Sequence, residues 1–207
     1  MLCVKITRFE YASWSMPTPN TQETKQSLRK SLQETRRSTK LGSFDIEQLT
    51  KRAIFELAKS SGDVAIYMSL PEEPPTEQII TQISQTGRNV WLPRIQNNDL
   101  VWVKNPAEFM LGPYAIKEPQ GEAKASHELK DLGAIVLPGL AVDIKGIRLG
   151  KGKGFYDRVL IQLAPDVKRI VLLFDTEFVH EVPHEDHDQP VHTIATPYRS
   201  IHFTKPD

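Results

Sequence analysis

The sequence predicts a single α/β domain built on a mainly parallel open sheet with helices on both faces. Apolar runs of strand length recur at 64–70 (VAIYMSL), 133–140 (GAIVLPGL) and 168–175 (KRIVLLFD). Stretches whose apolar residues repeat at helical spacing lie between them, and parallel strands need such crossovers. With 207 residues, 39% hydrophobic and 25% charged, the chain suffices for one domain with a sizeable core.

Taken in order, TQETKQSLRKSLQETRRSTK predicts a mostly solvated helix, with Leu28 and Leu32 one turn apart. Lys25 and Arg29 share that spacing, so both cations project from one face. A second, amphipathic helix carries Ile46, Leu49, Ala53, Ile54 and Leu57, with Asp45 as its N-cap and Gln48 as the partner three residues on. After the strand at 64–70, TEQIITQISQTG predicts a helix ending at Gly87, and NVWLPRI and LVWVK predict strands. Residues 105–130 read as a loop. Beyond GAIVLPGL, a helix marked by Phe155, Val159, Leu160 and Leu163 stops at Pro165. KRIVLLFD is the last strong strand, and HTIAT and SIHFT finish an edge.

Lys plus Arg equals Asp plus Glu at 26 each, so no overall field gathers nucleic acid or an acidic membrane, and any anion site is local. The single cysteine, Cys3, excludes an intrachain disulfide and a multi-cysteine zinc site. A cytoplasmic location is the expectation. Residues 1–20 read as a poorly ordered extension ahead of a domain over 21–207, and charges at Lys5, Arg8 and Glu10 interrupt any signal-peptide core. No segment reaches membrane-spanning length.

The densest chemistry lies in RLGKGKGFYDR (148–158), where Gly150, Gly152 and Gly154 alternate with Lys151 and Lys153. Residues without Cβ let backbone N–H groups approach phosphate oxygens, and the helix start behind them adds a favourable dipole. A flexible surface loop is the alternative. Neither the P-loop nor the dinucleotide fingerprint is present. Asp157, in the first helical turn, either caps the helix or holds a magnesium ion, while Arg148 and Arg158 either clamp phosphate or pair with surface acids.

A literal HExxH occurs at His180, Glu181 and His184, but Pro183 breaks the helix that zinc-protease chemistry requires. Asp188 closes an acidic run with Glu185 and Asp186, either solvated or offering a carboxylate to a hard cation. The basic helix near residue 30 has no aromatic stacking motif beside it, which argues against a nucleic-acid surface.

LPGLAVDIKGIRLGKGKGFYDR closely resembles the signature of the 5-formyltetrahydrofolate cyclo-ligases, departing only at Val142 and Phe155. The resemblance runs over about residues 21–205, through KxxLR at Lys25, Leu28 and Arg29, LPR at 92–94, GPYAIKEP at 112–119 and PHEDHDQPVHTIAT at 183–196. It implies an ATP- and Mg²⁺-dependent ligase acting on a small-molecule substrate, 5-formyltetrahydrofolate, with or without a polyglutamate tail. A monomer without membrane or nucleic-acid partners is expected.

The resemblance also implies residue roles. ATP would be held by Lys25, Arg29, Arg148, Leu149, Gly150, Lys151, Gly152, Lys153, Gly154, Phe155 and Tyr156. Folate would meet Met68, Glu73 and residues Lys151 to Phe155. Mg²⁺ would sit on Asp157 and Asp188, and Lys153, Arg148 and Tyr156 are the catalytic candidates. At Glu73 the chain reads EPPT, with Pro74 and Pro75 where the family more often has an aliphatic residue and an acid. An ATP-using enzyme for another formyl or acyl compound, and a binding-only relative, are the competing readings.

Overall fold

The computed structural model describes residues 21–39, 41–112, 117–185 and 188–203. The N-terminal extension, Asp186 and part of the GPYAIKEP stretch lie outside them. Two helices come first, α1 (Thr21–Ser38) and α2 (Ser43–Leu57). They are followed by β1 (Asp63–Ile66), α3 (Glu77–Gln85) and a hairpin of β2 (Val90–Gln96) with β3 (Asp99–Lys104). Three short strands come next: β4 (Phe109–Leu111), β5 (Lys117–Pro119) and β6 (Ala123–Ala125). Then follow β7 (Leu132–Pro138), β8 (Ala141–Asp143), β9 (Arg148–Leu149) and α4 (Phe155–Gln162). The chain closes with β10 (Lys168–Leu172), β11 (Phe178–Val179), β12 (Thr193–Ala195) and β13 (Ser200–His202).

The main sheet has eight strands in the order β13-β12-β10-β7-β1-β2-β3-β6. Its five inner strands, β12 to β2, pair in parallel, while β13, β3 and β6 are antiparallel additions at the two edges. Strand pleating assigns alternate residues to opposite faces. Val64 and Ile66 pack with Leu49, Ala53 and Leu57 of α2 and Ile79 and Ile83 of α3. Ala65 and Ile135 belong to the other core, with Val159 and Leu160 of α4. Each such buried leucine or isoleucine contributes roughly 1.5–3 kcal/mol.

The expected mainly parallel sheet with helices on both faces is therefore present, with three local corrections. Asp45 does not cap α2; Gly42 does, and Asp45 Oδ2 accepts the Gly42 N–H at 3.2 Å from the third helical position. The 105–130 loop contains β4, β5 and β6, and β6 extends the main sheet along β3. A small sheet in the order β11-β8-β9 follows GAIVLPGL, and Leu28 and Leu32 of α1 pack against its Ala141 and Leu149. Asn97 and Asn98 close the β2–β3 hairpin at φ 50° and 60°, a left-handed conformation that asparagine tolerates well.

β1 sends its chain through α3 to β2 on one side, and its other neighbour, β7, sends its chain through α4 to β10 on the opposite face. The carboxyl ends of β1 and β7 thus form the switch point of the sheet, where such folds place a ligand crevice.

Candidate functional site

A cleft of about 910 Å³ opens at this switch point. Its floor is Tyr67 and Met68, which follow β1, and Pro138 and Gly139 at the end of β7. The glycine loop and the start of α4 form one wall, α1 contributes Lys25 and Arg29, and Glu185 and Asp188 approach from the late loop. Pro93, Ile95 and Leu100 of the β2–β3 hairpin supply an apolar wall.

The local reasons for this convergence are legible. The small sheet folds Arg148 back over the end of β7, where it donates from Nη1 to Pro138 O at 3.1 Å and from Nη2 to Asp157 Oδ1 at 2.5 Å. Gly150 makes room for that guanidinium: a Cβ there would lie 2.7 Å from Arg148 Nη1. Gly152 at φ 95° and Gly154 at φ 67° are in the left-handed region, which lets the loop turn sharply into α4. Arg29 Nε braces the loop, donating to Gly150 O at 3.0 Å.

Two cleft lysines, like Arg148, face acids. Lys25 Nζ lies 2.8 Å from Asp188 Oδ2 and 3.9 Å from Glu185. Lys151 Nζ lies 2.7 Å from Glu73 Oε1, while Glu73 Oε2 accepts the Leu70 N–H at 2.9 Å. The EPPT loop is braced where it carries its two prolines: the Tyr67 hydroxyl donates to Pro74 O at 2.8 Å, and Ser69 and Thr76 exchange two side-chain bonds. Glu73 is thereby held inside the cleft. Burial, with the charge of Glu73 next, holds both the Tyr67 and Tyr156 phenols well above their ordinary pKa. Both remain neutral hydrogen-bonding groups at physiological pH.

The site positions that the family resemblance implies line this one cleft: Lys25, Arg29, Met68, Glu73, the run Arg148 to Tyr156, Asp157 and Asp188. Arg158 does not; it turns outward to Lys153 O, Asn98 O and, at 3.6 Å, Asp99. Of its two readings, pairing at the surface is the one the structure shows. Asp157 bonds Arg148 rather than capping α4. The HExxH residues follow no helix: 181–185 has no regular secondary structure, and no group of three or more metal-ligating side chains exists among the described residues. Tyr67 and Glu118 line the cleft unforeseen. The one available signal for Glu118 was its place in GPYAIKEP.

A switch-point cleft in which cations and carboxylates face one another defines an α/β enzyme site for a small charged molecule. The chain belongs to the 5-formyltetrahydrofolate cyclo-ligase family, whose model matches residues 21–197. It is 31% identical to the 5-formyltetrahydrofolate cyclo-ligase of Mycolicibacterium smegmatis over 185 residues, 86% of this chain and 95% of that one. The mouse cyclo-ligase is 32% identical over 66% of this chain and 73% of its own. Among solved structures, the 5,10-methenyltetrahydrofolate synthetase of Aquifex aeolicus superposes with a TM-score of 0.73 at 24% identity, covering 88% of this chain and 94% of that one. That of Mycoplasma pneumoniae gives 0.65 at 15% identity, covering 84% and 98%. The last two comparisons speak to the fold. Family membership makes the chain a ligase, with 5-formyltetrahydrofolate cyclo-ligase activity. No helix among the described residues is long and apolar enough to cross a membrane.

Proposed function

We propose that the chain converts 5-formyltetrahydrofolate and ATP to 5,10-methenyltetrahydrofolate, ADP and phosphate, with Mg²⁺ required. The observation that carries this reading is the convergence of Lys25, Arg29, the glycine loop, Asp157, Asp188 and Glu73 on one cleft. Its volume of about 910 Å³ lies near the upper end of the range for small-molecule pockets, in keeping with two ligands side by side.

The chemistry explains the need for ATP. A formamide carbon is a weak electrophile and its oxygen a poor leaving group. Phosphorylating the formyl oxygen releases ADP and leaves an iminium phosphate at N5. The N10 amine adds to that carbon and gives up its proton, and cleavage of the C–O bond then expels phosphate. No protein nucleophile is required, since positioning and charge neutralisation supply the catalysis of phosphoryl transfer.

Lys25 and Arg29 would hold phosphate oxygens, and the amides of 150–154 with Lys153 would stabilise the transferring group. Arg148 would neutralise charge beside Asp157. Tyr156 would line the nucleotide or folate pocket, and Glu73 would orient the pterin with Met68 beside it. The donor set fits Mg²⁺: two carboxylates, Asp157 about one-third exposed and Asp188 mostly buried, line the same cleft, and hard oxygen donors are what that ion takes. Bound there, the ion would supply charge neutralisation to the phosphates. A binding-only relative would have no use for this paired set of cations and acids.

The test is near-ultraviolet absorbance of the methenyl product in purified protein with 5-formyltetrahydrofolate, omitting ATP or Mg²⁺ in turn. A rise that needs both is expected. Folded protein giving no rise overturns the reading.

A further inference from the structure

Among the described residues five carboxylates line the cleft, and four of them face a lysine or arginine: Glu73, Asp157, Glu185 and Asp188. Glu118 differs, since it makes no ion pair among the described residues. We propose that Glu118 is a further substrate-binding residue, whose Oε2 accepts an N–H of the folate ring system. The inference rests on the function proposed above and adds to it the chemistry of the apolar wall.

Glu118 sits at the middle of β5 and is 5% exposed. Its Oε1 accepts the Ile95 N–H at 3.0 Å, which ties it to β2. Gly112, from the partner side of the β4–β5 hairpin, lies so close that any side chain there would overlap the carboxylate. The group is therefore fixed in position. Its second oxygen, by contrast, has no donor among the described residues.

A carboxylate oxygen that a bound ligand cuts off from water must find a donor, and a ligand that brings one offsets that cost. Around Glu118 the cleft is lined by Pro93, Ile95 and Leu100, flat apolar surface suited to a ring. The cleft's cations come from α1 and the glycine loop, and an unneutralised carboxylate on β5 would repel a phosphate. What fits is an uncharged, flat heterocycle with N–H donors along its edge, and the pyrimidinone ring of a reduced folate is such a group. Glu73, already engaged by Lys151 and the Leu70 N–H, leaves this role open.

The variant that separates binding from bracing is Glu118→Gln. Its amide oxygen still accepts from Ile95, while an NH₂ replaces the second carboxylate oxygen. Two measurements are made: equilibrium binding of 5-formyltetrahydrofolate without ATP, by quenching of tryptophan fluorescence, and KM for each substrate. The expected result is a roughly tenfold or greater loss of folate affinity, the scale set by leaving a site's polar groups mismatched, with KM for ATP within about twofold. Glu118→Asp, which keeps the charge but withdraws it by one methylene, should also weaken folate and spare ATP. Unchanged folate affinity in Glu118→Gln overturns the proposal. So does an equal rise in both KM values with a lowered melting temperature, which assigns Glu118 to bracing alone. Absence of folate binding by the wild-type protein instead overturns the functional reading on which the proposal stands.

Discussion

Lys25 Nζ donates to Asp188 Oδ2 at 2.8 Å across 163 residues of sequence, joining the first helix to the loop before β12 at the cleft. Asp188 Oδ2 also accepts the Glu185 N–H at 2.9 Å, so the loop is folded around the carboxylate that meets the lysine. The cation proposed for phosphate and the acid proposed for Mg²⁺ thus pair with each other. Binding of the metal-nucleotide pair would exchange this internal pairing for two external ones.

Lys25→Met removes the cation while keeping an aliphatic stem of similar length. kcat/KM for ATP is expected to fall by about a hundredfold or more, the scale of losing one stabilising contact to a transferring group. KM for 5-formyltetrahydrofolate should move little. Steady-state kinetics with each substrate varied in turn checks both statements, and an unaltered ATP response removes Lys25 from the phosphate site.

Asp157→Asn keeps the shape of the side chain facing Arg148 but removes its charge. Turnover should drop by on the order of a hundredfold, and the Mg²⁺ concentration needed for half-maximal rate should rise. A variant with normal Mg²⁺ dependence but low stability would show that Asp157 serves only to hold Arg148.

The strands and helices that could be foreseen were those with strong periodicity. Val64 to Ile66 and Ala134 to Leu137 are buried on both faces and read as continuous apolar runs. Phe155 to Leu160 combines a glycine-rich start with helical spacing. The β11-β8-β9 sheet could not be foreseen, because strands of two or three residues carry no period. Its order depends on Asp143, whose Oδ1 takes the Lys145 and Ile147 N–H groups and whose Oδ2 takes that of Val182. The cleft residues in RLGKGKGFYDR and at Lys25, Arg29 and Asp188 were legible from motif resemblance. Glu118 and Tyr67 were not, since their placement depends on a hairpin and a loop folding across one another.

Glu56 makes stability pH-dependent. It is fully buried and accepts from Lys59 at 2.8 and 2.9 Å, with His202 Nε2 at 2.9 Å. Burial pushes its pKa up, but hydrogen bonds from Lys59 and His202, with their charges, outweigh burial and hold it at about 2 against an ordinary 4.5. A carboxylate whose pKa is depressed by folding contributes stability that is complete above its unfolded value. That contribution is lost as pH falls through the folded one. The urea midpoint should therefore decline between about pH 5 and pH 2. Glu56→Gln should lower the midpoint at neutral pH and flatten the decline; an unchanged slope assigns it to other groups.

Arg36 and Glu177 form a second, deeper pair. Their side chains are 3% and 4% exposed, Arg36 Nε and Nη2 each donate to the carboxylate at 2.6 Å, and Nη2 also reaches Gly139 O at 2.7 Å. Since Gly139 ends the cleft floor and Arg36 lies on the helix bearing Lys25 and Arg29, this pair anchors α1 to the sheet. Arg36→Met leaves a buried carboxylate without its cation, and a loss of about 3–5 kcal/mol is expected. The pH dependence separates this cause from simple loss of packing. Burial raises the Glu177 pKa first of all, and Arg36 opposes that rise. Without Arg36 the folded protein binds a proton that the unfolded chain releases more readily. The variant should therefore lose less stability at pH 5 than at pH 8. Adding Glu177→Gln should recover part of the loss at pH 8 and abolish that difference. Urea titrations of the wild type, the single variant and the double variant at the two pH values measure it. An equal loss at both would place the effect in packing rather than in the unpaired charge.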